Sequence, residues 1–156
     1  MVKRLSELPE VEARHLSLDR VVCPTYDDTP ALAGSRLAER RVAVISTAGL
    51  HRRGDRPFQP GDGSYRVIPA DTRAADLVMS HISVNFDRTG FQQDHNVVFP
   101  IDRLRELIAM GAVGSMAAMH YSFMGAFPPE AAKPHARHLA GLLKADRVDA
   151  ALLVPV

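Results

Sequence analysis

Histidine titrates closer to neutrality than any other side chain, so its placement is the first guide to chemistry in this chain. Three of the seven histidines stand in or just beyond short apolar runs, each in polar company. His51 closes the run Ser46-Thr47-Ala48-Gly49-Leu50 and is followed by Arg52, Arg53 and Asp55. His81 precedes Asn85, Asp87 and Arg88, with Gln93-Asp94-His95-Asn96 a little further on. His120 begins His120-Tyr121-Ser122. Read from the residues alone, His51 is either a general acid or base, a carboxylate binder working with an adjacent arginine, or a solvated loop histidine. His81 is either a hydrogen-bonded core histidine or a catalytic one, and His120, at a strand end, is the strongest of the three as an acid or base. His135 and His138 sit three apart on a helix beside Lys133 and Arg137, which reads as an exposed structural pair.

Other chemistries have less support. His51, Asp55, His81, Asp87, Asp94, His95 and His120 include enough nitrogen and oxygen donors for a cation, but none stands in a metal-binding local spacing, and no metal is assigned. There is no G-x-S-x-G elbow for a serine nucleophile, and Gly61-Asp62-Gly63 lies in a loop rather than at a strand-to-helix turn. Cys23 lies between Val22 and Pro24, the setting of a buried, inert thiol.

These residues need a frame that brings separate segments together. Arg41–Ser46 is a β-branched run with apolar residues on both faces, the pattern of a buried parallel strand. Residues 50–64 read as a long polar loop, Tyr65–Ile68 as a short strand and Asp76–Val84 as a third buried strand, with Thr72 capping a turn between the last two. Pro100 precedes a helix whose Leu104, Leu107 and Ile108 share one face, and Gly111 ends it. Val113–Met119 reads as a fourth strand, Glu130–Lys144 as a helix that tolerates Pro134 in its early turns, and Val148–Val154 as the last strand. Weak helical turns are expected around Pro9–Leu16 and Pro30–Arg40. Alternating strands and helices predict an α/β fold with a mainly parallel open sheet and flanking helices, half of a Rossmann- or flavodoxin-like arrangement. The expected division is a partly irregular extension over residues 1–24 and a single α/β domain over 25–156. In such sheets ligands bind outside the carboxyl ends of the strands, so the loops after the strands should share one pocket.

Composition bounds the partners. The 156 residues suit one domain, and 19 basic side chains against 18 acidic ones supply no field for nucleic acid or an anionic membrane. The local cluster His51-Arg52-Arg53 suits a small anion instead. A single cysteine allows no internal disulfide, and no apolar run is long enough for a signal peptide or a membrane span, so the expected location is the cytoplasm.

Several long strings in this frame are distinctive: STAGLHRRGDRPF, YRVIPADT, DLVMSHISVNFDRTGFQQDHNVVFPIDRL and GAVGSMAAMHYSFMGA. From about Thr25 to the last residue they resemble the selenoprotein B subunit of the glycine, sarcosine, betaine and D-proline reductases. The resemblance implies reductive C–N cleavage of an amino acid or an N-methylated relative, a selenocysteine that takes the carbon fragment, and in some members a pyruvoyl group on a partner chain. It implies other reductase subunits as partners and a small amino-acid-like substrate. Matched string by string, it places His51, Asp55, His81, Asn85, Asp87, Asp94 and His120 in the pocket. His51 and His120 are then the candidates to protonate the leaving amine, and Arg52, Arg53 or Arg88 to hold the substrate carboxylate.

The family pattern continues past the strand resembling AALLVPV with selenocysteine and Pro-Val-Cys. The expectation is therefore a reading frame ended at a UGA codon, leaving a chain inactive alone and an uncovered last strand open to oligomer formation. Two rival readings stand beside it: a small-anion-binding or sensor domain without catalysis, and a metal-dependent hydrolase.

Overall fold

The computed structural model describes residues 4–16, 32–83 and 87–156. The chain forms two compact units, residues 1–32 and 33–156. Within the first, α1 (Glu10–Leu16) carries Glu10 and Glu12 in its first turn, where the helix dipole favours acids. Arg14 pairs with Glu10 one turn back at 2.8 Å. The Val21–Cys23 patch and the start of the Pro30–Arg40 turn lie outside the described residues; of the latter, Leu37–Glu39 forms a single 3-10 turn.

The second unit is built on β1 (Arg41–Ser46), β2 (Leu50–Arg52), β3 (Tyr65–Pro69) and β4 (Leu77–Met79). The short α2 (Thr89–Gln93) and α3 (Ile101–Ala109) come next. β5 (Ser115–Met116), β6 (Met119–Phe123), α4 (Pro129–Ala145) and β7 (Ala150–Val154) complete it. β1 lies at the centre of the main sheet. β5, β6 and β7 all pair with it in parallel, and β3 adds to the far side of β6 antiparallel. The sheet is thus α/β and mostly parallel, as the pattern predicted.

The two faces of this sheet follow from the alternation of side chains along each strand. Val42, Val44 and Ile68 point to one face, where Leu50, Leu77, Phe99, Ile101 and Leu104 cover them. Ile45, Tyr65, Tyr121 and Phe123 point to the other, against Leu139 and Leu143 of α4. Pro129 starts α4 without giving up a needed bond, because the first N–H groups of a helix have no partner inside it. Leu139 is its buried residue, and Lys144 in the last turn complements the dipole. Asp146 then locks the end of α4 to the sheet: its carboxylate accepts from Arg41 Nη2 at 2.7 Å and from Ala118 N at 2.8 Å.

Three elements differ from the sequence pattern. The apolar run over 76–84 forms only the three-residue β4, which pairs antiparallel with β2 in a separate two-stranded sheet. The same antiparallel register runs on through the bond from Ser80 N to Gly49 O at 2.9 Å, which fastens the end of β4 to the loop after β1. The supposed loop 50–64 accordingly begins as a strand. The fourth strand divides at Ala117-Ala118 into β5 and β6, so His120 falls inside a strand instead of past its end.

Candidate functional site

The carboxyl ends of β1 and β6 are where a parallel sheet places a ligand crevice. The loop leaving β1 is small-residued, and its backbone donors are all engaged. Thr47 N donates to Val154 O (3.0 Å) and Gly49 N to Phe123 O (2.8 Å). Ala48 N donates to Ser46 Oγ (3.1 Å) and Leu50 N to Ser122 Oγ (2.9 Å). Both serines are fully buried, so their hydroxyls act as internal struts. This loop is a rigid wall, not a cradle of free N–H groups for an anion.

His81 is held against that wall. Gly49 has φ +67°, and a Cβ there would come within 2.9 Å of the His81 backbone. Gly125 has φ +85°, and a Cβ there would meet Thr47 O at 2.8 Å and His81 Nε2 at 3.4 Å. Only glycine allows three chain segments to meet this closely with left-handed backbone. Ser83 N donates to His81 Nδ1 at 3.2 Å, which leaves the proton of the neutral ring on Nε2, the atom nearest Gly125. Burial, and then the Arg88 charge, lower the His81 pKa, so the ring is neutral at neutral pH. Arg88 Nη2 donates to His81 O at 2.5 Å. Thr47 adds a hydroxyl at the same edge, accepting from Val156 N at 2.8 Å.

The other predicted residues are dispersed. His120 is wholly buried beneath the crevice: its Nδ1 accepts from Val44 N at 2.9 Å, filling the gap between β5 and β6 in the ladder along β1. Phe99 meets its ring edge-on at 5.9 Å, and burial pushes its pKa down to about 4. His51 is buried on β2. Its Nδ1 donates to the Arg52 carbonyl at 2.9 Å, which leaves the lone pair on a buried Nε2 that meets no hydrogen-bond partner. Arg52 and Asp55 face each other at 3.8 Å on the exposed flank beside β3. Asp87 and Asp94 are exposed and cap their own turns, accepting from Thr89 N and Asn96 N at 2.9 Å each. Asn85 lies outside the described residues. Among the described residues no three His, Cys, Asp or Glu side chains gather as a cation site.

Thr47 and Gly49 stand in the run of small residues that turns the chain after β1, and Gly125 is the position a reading by side-chain chemistry passes over. The only local signal for the glycines is that they follow β1 and β6 directly. Nothing local distinguishes which of the ten glycines must be glycine.

The fold and site together define an α/β protein with a neutral histidine held by glycine contacts at the carboxyl edge of a mostly parallel sheet. The model of the glycine/sarcosine/betaine reductase selenoprotein B family matches residues 29–156, and the chain belongs to that family. D-proline reductase subunit gamma of Acetoanaerobium sticklandii is 36% identical over 156 residues, covering 96% of this chain and 61% of the relative. The chain thus spans less than two thirds of that relative's length. No solved structure matches it. No helix among the described residues is long and apolar enough to cross a membrane.

Proposed function

We propose that this chain forms the strand-edge half of a reductase-complex subunit acting on D-proline, sarcosine, betaine or glycine-type substrates. The carrying observation is a reductase-family sequence that holds the buried His81 between Gly49 and Gly125 at the carboxyl edge of its sheet. The reaction is a two-electron cleavage. The C–N bond breaks, a C–H bond forms, the amine leaves with a proton, and a dithiol becomes a disulfide.

Selenocysteine would supply the nucleophile that takes up the carbon fragment, and none of the 156 residues is selenocysteine. A pyruvoyl group, in this proposal, belongs to a partner chain. The residues of this chain position and shield. The missing side chain at Gly125 lets its backbone approach Thr47 and His81 closely. A neutral imidazole at this edge places no cation beside a leaving amine. Thr47 holds the backbone at Val156 and so shapes the far side. His51 and His120, both buried, brace the backbone behind this edge. Partner subunits have a surface to meet at β7, whose outer edge is unpaired and whose Leu152 and Leu153 are exposed.

The test is dithiol-dependent release of reduced product from the four substrates by the assembled reductase containing this chain. The expected result is turnover of at least one substrate, with kcat reduced roughly a hundredfold by His81→Ala, the size of one positioned proton-transfer or donor group. Full activity of the His81→Ala complex, or no turnover of any of the four, would overturn the reading.

A further inference from the structure

The outer edge of β3 is the last position in the main sheet. Its ladder with β6 pairs Arg66 with Ser122 and Ile68 with His120, and continues in the bond from Ala70 N to Ala118 O at 3.0 Å. In an antiparallel pair, bonded and non-bonded positions alternate. Even-numbered residues therefore face β6, and Val67 turns its N–H and C=O outward. The neighbouring outward carbonyls are already used, Tyr65 O by Arg66 Nη1 and Pro69 O by Thr72 N. Among the described residues Val67 is the open rung.

Along this edge runs a groove of about 500 Å³ lined by Arg52, Asp55, Arg56, Val67, Pro69 and Met119. Its two sides differ. Val67 and Met119 are exposed and lie on the α4 side of the sheet. Arg52 and Arg56 rise on the opposite side, from the segment whose carbonyls at Arg56 and Pro57 accept from Arg66 at 2.8 and 3.2 Å. The Arg66 charge is already satisfied by Asp62 at 2.8 Å, a carboxyl held at about 2 against its burial by Ser64 and Arg66. Asp55 pairs with Arg52 at 3.8 Å and accepts its backbone N–H at 3.3 Å. Arg56 has no carboxylate partner among the described residues and stands as an uncompensated cation at the groove.

We propose that this edge is a docking strand for an extended peptide segment in which acidic and apolar residues alternate. Such a segment would pair its backbone with Val67, lay its apolar side chains on Val67 and Met119, and turn its carboxylates to Arg52 and Arg56. The period of two in a strand matches the two-sided lining of the groove. The inference does not rest on the reductase reading, because it concerns the opposite flank of the sheet from β7.

The experiment is fluorescence anisotropy with a fluorescein-labelled alternating Glu-Val octapeptide, with a Lys-Val octapeptide as control, titrated with the purified protein. Val67→Pro removes only the outward N–H, a substitution that edge strands tolerate. Saturable binding of the Glu-Val probe is expected, weakened roughly tenfold by Val67→Pro with circular dichroism unchanged, and several-fold by Arg56→Glu. Should Val67→Pro unfold, Arg56→Glu decides. Equal affinity of the folded proline variant, or unchanged binding to Arg56→Glu, overturns the proposal. So does equal binding of the Lys-Val control, or no saturable binding of the Glu-Val probe.

Discussion

His120 gives up its proton to serve as a backbone acceptor. Its Nδ1 takes the Val44 N–H, which only the neutral ring can do, and its folded pKa of about 4 lies below the usual 6.5. Between these values the unfolded chain binds a proton that the folded chain refuses. Its contribution is therefore complete above pH 6.5, declines as the pH falls, and is exhausted below 4. That span corresponds to a loss on the order of 3 kcal/mol. His81 is shifted in the same direction and adds to the same window. Urea unfolding at pH 7 and at pH 4.5 measures the decline. His120→Gln keeps an acceptor that does not titrate, so its decline should be markedly shallower, and an identical slope would refute the assignment. Ser122→Ala strands the buried Leu50 N–H instead, and should cost about 1–3 kcal/mol at every pH between 5 and 8.

At the scale of elements, the crevice depends on two glycine contacts between segments, and glycines elsewhere serve as controls. Gly125→Ala meets both a left-handed backbone and the Thr47 carbonyl at 2.8 Å. It should lower stability by at least about 2 kcal/mol and displace Thr47 from Val156. Gly54 is also left-handed, at φ +92°, but has nothing near its Cβ position. Gly54→Ala should therefore cost only about 1 kcal/mol. Equal losses in denaturant melts would mean that close approach plays no part. In α4, Pro134 interrupts the run of helix bonds from within. Pro134→Ala should raise stability by about 1–3 kcal/mol.

For the molecule as a whole, the main sheet ends in two unlike edges. β3 is bordered by a groove with arginines, whereas β7, paired with β1 on its inner side, leaves Leu152, Leu153 and Val156 exposed beside an outer edge that has no partner strand among the described residues. An apolar open edge favours pairing with another chain. The purified protein should self-associate with rising concentration in sedimentation or light scattering, and Leu153→Lys should suppress it. A concentration-independent monomer would show that the edge is protected in some other way.

Strands and helices that obey one period along their whole length were legible from the residues alone. Arg41–Ser46 is a strand, Ile101–Ala109 is a helix that buries Leu104 of the expected face but leaves Leu107 exposed, and α4 ends within a residue of Lys144. Those assignments depend on local chemistry, because burial of one stripe or one run suffices to define them. The family was legible too, through long strings whose residues need no structure to be recognised. What required the tertiary structure was every decision made between distant segments. The 76–84 run became a three-residue strand because its partner is the three-residue β2, and the fourth strand divided because His120 could substitute for a backbone carbonyl. The same holds for the histidines. Sequence ranks His120 above His81 because it follows small residues at a strand end. The fold buries both, His120 under Phe99 and His81 between Gly49 and Gly125. Side-chain type reveals what a residue can do, but solvent access, tautomer and neighbours belong to the packed molecule, where hydrogen bonds of 2.9 Å join Gly49 to Ser80 and Val44 to His120.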